Sequence, residues 1–150
     1  MTINIAEILV ANSCGVSMVL LLLIFRIQHS ETSRPDERLY NCMLIATLTA
    51  LIAETASFLI DGKVFSGCFA LQYICNTVCT GFTVLVGYLW SLFVEFKMYR
   101  SMKRLKNKAV ILGVPLFADA CLMVANLFGN GIFFDVSDAN VYTRGELTPI

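Results

Sequence analysis

Four long apolar runs, roughly residues 6–25, 39–60, 69–96 and 109–128, confine this chain to a narrow class of folds. A helix needs about 20 mostly apolar residues to cross a hydrocarbon core of roughly 30 Å. Lipid offers no partner to a bare N–H or C=O, so each run is expected to close its hydrogen bonds internally as a helix. Composition agrees: 57% of residues are hydrophobic and 15% charged, and the mean hydropathy is +0.73. A water-soluble domain has about a quarter of its residues charged. The expected fold is an all-α membrane protein, with four transmembrane helices in a bundle over residues 1–128 and a short exterior β-hairpin at the C-terminal end.

The eleven Lys and Arg residues suggest an orientation. None precedes the first run. Arg26, Arg34 and Arg38 follow it; Lys63 follows the second; Lys97, Arg100, Lys103, Arg104, Lys106 and Lys108 follow the third; Arg144 lies in the tail. Cytoplasmic loops collect Lys and Arg, so loops 26–38 and 97–108 are expected inside. The N-terminus, the turn 61–66 and residues 129–150 are then expected outside a cell membrane. Tyr40 and Tyr99 would sit at the inner interface and Tyr73 near the outer one. The first run has no basic n-region and exceeds the usual length of a signal-peptide core, so it reads as a retained helix.

Zero formal net charge argues against nucleic acid as a partner. The basic cluster 97–108 reads as an anchor at an anionic leaflet, which makes the lipid bilayer the expected partner. Cys14, Cys42, Cys68, Cys75, Cys79 and Cys121 fall in or at the edges of the apolar runs. A secreted disulfide framework would place them in loops. With His29 the only histidine, they read as small buried hydrophobes, and no metal site is expected.

Ionisable groups inside a span cost roughly 2.5–3.5 kcal/mol on insertion scales and suggest function. Glu54, in the outer half of the second run, and Asp119, near the middle of the fourth, are such groups. Glu95 is expected to snorkel or to pair with Lys97 or Arg100. Helical spacing gathers Tyr40, Thr47, Glu54 and Asp61 on one stripe, and Gln72, Asn76, Thr80, Thr83, Gly87 and Ser91 on another. Pro115, Asp119 and Asn126 share a third face, and Asn12 and Gly15 a fourth. Two readings are open. Glu54, Gln72, Asn76, Asn12 and Asn126 would line an outer polar pocket for a small molecule, with Asp119 as a further ligand-binding candidate. Alternatively, the same groups join helices by close packing and hydrogen bonds of about 0.6–2 kcal/mol. Pro115 should kink the fourth helix, as a hinge or as a packing irregularity.

Residues 129–150 differ in character. The β-prone strings 132–136 and 140–144 flank Ser137-Asp138-Ala139, which suits a hairpin. An isolated hairpin is marginally stable, so it should rest on the membrane surface or the exterior loops, with Phe133 and Phe134 as its contacts. The final residues read as the approach to a further span. No phosphate loop, nucleophile elbow, HExxH or CxxC motif occurs, and no enzymatic activity or cofactor is expected within these residues.

The stretch IFFDVSDANVYTRG resembles an exterior segment of multi-pass N-terminal input regions of bacterial signalling proteins, common in Firmicutes and Actinobacteria. Those regions precede a cytoplasmic diguanylate cyclase or histidine kinase domain. Tyr142, Arg144 and Gly145 carry the likeness, and Glu54 followed by Asp61-Gly62-Lys63 resembles the end of the family's second helix. Where the family usually has Pro after Arg-Gly, this chain has Glu146. The resemblance implies a sensory role. The leading expectation is a homodimeric input module that passes a signal from an unidentified small molecule to a cytoplasmic output domain. Two other readings stand beside it: a small transporter or proton-coupled carrier subunit using Glu54 and Asp119, and a purely structural membrane subunit.

Overall fold

The computed structural model describes residues 5–29, 34–128, 131, 134–137 and 139–145. Where each helix starts and stops follows from a few side chains. α1 (Ile5–His29) is a continuous apolar helix. α2 (Pro35–Ile60) opens on Pro35, with Asp36 and Glu37 in its first turn. A missing N–H is harmless there, and carboxylates suit the positive end of the helix dipole. Asp61 closes α2 by donating its N–H to the Ser57 carbonyl at 3.0 Å.

α3 (Cys68–Tyr99) has 32 residues, about 48 Å at 1.5 Å per residue. That is longer than a hydrocarbon core of about 30 Å. The helix ends where Arg100 turns left-handed, at φ +48°. Ser101 then caps α4 (Met102–Leu112), its Oγ accepting from the Arg104 N–H at 3.4 Å. The segment 97–108, expected as a loop, is therefore helical except at Arg100 and Ser101.

The fourth apolar run also departs from expectation. It is two helices, α4 and α5 (Val114–Leu127), broken at Gly113. Pro115 lies in the first turn of α5. Its ring would clash with the carbonyl four residues back, and it lacks the N–H for that carbonyl. The break accordingly falls on the N-terminal side of the proline. Together α1, α2, α3 and the Met102–Asn126 segment are four helices long and apolar enough to cross a membrane.

α2 packs along α3, α1 packs chiefly on α2, and α3 also touches α4, α5 and the hairpin. The faces turned inward are mainly small or polar, Ala46, Ala53 and Ser57 on α2 and Cys68, Gln72 and Cys75 on α3, with Leu44 and Leu92 as the large apolar members. A Cβ on Gly15 would lie 3.2 Å from Leu51, so glycine lets α1 approach α2 closely. The faces turned outward carry Val10, Ile27, Ile52, Ile74, Trp90 and Phe117, all more than half exposed. Water would penalise that surface, whereas lipid tails are as apolar as the side chains themselves. All six cysteines are free.

β1 (Phe134–Val136) and β2 (Tyr142–Arg144) form an antiparallel pair, with Phe134 opposite Arg144 and Val136 opposite Tyr142. The strands are shorter than the strings 132–136 and 140–144, and Ile132 and Phe133 lie outside the described residues. Phe134 and Val136 pack with Met123 of α5, against Tyr73 of α3 and Tyr142. The hairpin thus rests on helix ends.

The opposite end is held by charges. Lys97 reaches Asp36 at 2.6 Å and Arg26 reaches Glu37 at 3.6 Å. Glu95 pairs with Arg104 at 2.7 Å, rather than with Lys97 or Arg100. Neighbours on a helix are three and four residues apart. Lys97 stands two away from Glu95 and Arg100 lies past the helix end, whereas the break after Tyr99 brings α4 alongside.

Candidate functional site

The two polar stripes of α2 and α3 meet beneath the hairpin. On α2, Glu54, Ser57 and Phe58 recur at three- and four-residue intervals and so share one face, with Asp61 at the C-cap just beyond. On α3, Gln72, Asn76, Cys79 and Thr80 do the same. β2 adds Tyr142 and Arg144, two residues apart and therefore on one side of the strand. These ten residues enclose a cavity of about 530 Å³. A smaller one, about 240 Å³, continues along the same stripes past Thr47 and Thr83. Glu54 lines both.

One wall of the main cavity is a hydrogen-bonded circuit. Gln72 Nε2 donates to Ser57 Oγ at 3.3 Å, Ser57 Oγ donates to Asn76 Oδ1 at 3.1 Å, and Asn76 Nδ2 donates to the Gln72 carbonyl at 2.8 Å. Gln72 is completely buried, yet its Oε1 accepts no hydrogen bond. A buried acceptor left without a partner costs about 1–3 kcal/mol.

The roof is fastened by Asn140. Its Nδ2 donates to the carbonyls of Ile60 and Lys63, both at 3.0 Å, and its carbonyl accepts from the Gly62 N–H at 2.8 Å. Asn140 is 1% exposed and left-handed at φ +56°, a conformation Asn tolerates better than most side chains. Asp61 adds a fourth tie, its Oδ1 accepting from the Tyr142 N–H at 2.8 Å. Burial pushes the Tyr142 phenol above its ordinary pKa, against the opposing pull of Arg144.

Three charged side chains line this cavity, the carboxylates Glu54 and Asp61 and the guanidinium Arg144. None of them joins any of the ion pairs among the described residues.

The structure therefore brings Glu54, Gln72 and Asn76 together with Tyr142 and Arg144. It places the remaining candidates elsewhere. Asn12 is buried between α1 and α2, donating to Thr55 Oγ1 at 3.2 Å. Asn126 is buried under the hairpin, donating to the Tyr73 hydroxyl at 2.8 Å and the Phe134 carbonyl at 3.2 Å. Asp119 is buried on α5 and does not line the main cavity. Gly145 follows β2 without lining it. Sequence reasoning overlooked Ser57 and Asn140. Ser57 lies three residues from Glu54, so its place on that face was readable. For Asn140 the only local sign was an Asn in a turn, a residue that accepts left-handed backbone.

Among the described residues, no three His, Cys, Asp or Glu side chains gather as metal ligands. A multi-pass α-helical membrane protein with a polar cavity roofed by a β-hairpin is the class that this architecture defines. Comparison with protein-family models, curated proteins and solved structures finds no match.

Proposed function

We propose that this chain is a membrane-embedded sensory input module, acting as a homodimer and reporting an external small molecule to a cytoplasmic output domain. The observation that carries the reading is the roof. Residues outside the apolar spans, Tyr142 and Arg144, close a cavity whose walls are two membrane-crossing helices. A ligand bound there touches the hairpin, α2 and α3 at once. If it binds one packing of these elements better than another, it shifts their equilibrium. The distribution of Lys and Arg supports an orientation with the hairpin end outside and the 97–108 segment in the cytoplasm. α3 then runs from the cavity to the Lys97–Asp36 and Glu95–Arg104 pairs, which offers a direct route for transmission.

The test uses the protein expressed from its own gene. Cyclic diguanylate and phosphorylated-protein levels are followed across external conditions, in wild type and in Asn140→Ala, which unfastens the roof. The sensory reading expects output that varies with conditions in wild type and not in the variant. Identical output in both, whatever the conditions, refutes it.

One observation favours a carrier instead. Glu54 lines both the roofed cavity and its inward continuation, a position suited to an ion or proton relay. Asp119, the other acid expected to serve such a relay, lies on a different helix outside the roofed cavity. Proton-driven uptake into liposomes, abolished by Glu54→Gln, would establish the carrier.

A further inference from the structure

The chemistry of the cavity narrows the class of ligand, provided that the cavity is a ligand site as proposed above. Its volume of about 530 Å³ falls within the range of about 300–1,000 Å³ typical of small-molecule sites. The Glu54 and Asp61 carboxyls and the Arg144 guanidinium line one cavity with no ion-pair partner among the described residues. Asp61 already accepts the Tyr142 N–H at 2.8 Å, which leaves Glu54 and Arg144 as the unengaged charged groups of the lining.

Each gap asks for something different. A carboxyl calls for a donor of several N–H bonds, preferably positive. A guanidinium calls for a planar anion, which it can hold by two parallel hydrogen bonds. A simple cation would leave Arg144 unmatched, and a simple anion would leave Glu54 unmatched.

We propose that the cavity binds a small zwitterion of the amino-acid class, its ammonium group donating to Glu54 and its carboxylate accepting from Arg144. Both charged anchors belong to elements that the roof ties together, Glu54 to α2 and Arg144 to β2. A ligand spanning them bridges hairpin and helix. The space beyond the two charged ends accommodates a side chain, with Phe58 and Tyr142 supplying its apolar surface.

The experiment uses the full-length protein in lipid nanodiscs. Thermal shift and calorimetry are run with each proteinogenic L-amino acid at millimolar concentration. Any binder is compared with its amine lacking the carboxylate and with its acid lacking the amine. At least one amino acid should raise the melting temperature, and removal of either charged group should weaken binding at least about tenfold, as expected for a lost charged hydrogen bond. Glu54→Gln and Arg144→Gln should each do the same, with part of the affinity restored in Glu54→Asp and Arg144→Lys. Asn12→Ala, outside the cavity, should leave affinity unchanged.

Three results overturn the proposal: no amino acid binds, the amine binds as tightly as the amino acid, or the acid does. The ligand series on wild type decides the matter even where a variant fails to fold. Amino-acid binding without any change in cellular output refutes the sensory reading and keeps the site. Condition-dependent output without amino-acid binding does the reverse.

Discussion

The two ends of α3 are held by different physics. At the hairpin end, Phe134 sits 2% exposed with its ring 4.8 Å from that of Tyr73 and 6.0 Å from that of Tyr142. Beside it, Asn140 satisfies two carbonyls and one N–H of the turn between α2 and α3. At the basic end, the ties are the Lys97–Asp36 and Glu95–Arg104 pairs, with Arg104 stacked over Tyr99 at 3.4 Å. The Lys97 side chain is half exposed. Buried neutral contacts specify a geometry and barely respond to salt. Exposed ion pairs are weak, screened and easily exchanged. A cavity needs the first kind of end. An end that must change its contacts needs the second.

The contrast makes graded predictions. Phe134→Ala should have the largest effect, a loss of about 3–5 kcal/mol typical of deleting a buried aromatic ring. Amide hydrogen exchange should show both strands opening while α1 stays protected; unchanged strand protection would remove the aromatic cluster as the hairpin's anchor. Asn140→Ala comes next, at about 2–4 kcal/mol. It removes buried hydrogen bonds and places a non-glycine residue without a local side-chain bond in left-handed backbone. Asn140→Gly relieves the second cost but not the first, so it should be the milder change. If the two variants melt alike, backbone strain contributes nothing.

The smallest effect belongs to the basic end. Lys97→Ala should cost less than about 1 kcal/mol, and the difference from wild type should vanish in molar salt. A larger loss that persists in salt would mean the two ends are built alike after all.

How much of this was readable beforehand depends on the range of the interaction. The four spans followed from local hydropathy, because helix formation in lipid is a property of about 20 consecutive residues. The hairpin was legible within a residue or two, since alternation and turn residues act over a few positions. Pro115 announced a break, although only the structure put it at Gly113. The site was legible by halves. Periodicity placed Glu54 on one stripe of α2, and Gln72 and Asn76 on one stripe of α3. It could not decide which stripes would face each other. Asn12 and Asn126 carry the same kind of polar side chain as Asn76, and both proved to be joints between elements.

What the sequence determined by itself is the set of elements: four apolar helices, their polar faces and a short strand pair, each arising from forces between near neighbours. The tertiary structure alone decided how they combine. The Asn140 amide reaches the Ile60 carbonyl across 80 positions. Tyr142 reaches Asp61 across 81. Glu95 chose Arg104 over its nearer candidates. These pairings depend on how one helix rotates and slides against the next. That is settled only when the buried polar groups and close-packed faces of several elements are brought together at once, and no local window of the chain contains that condition.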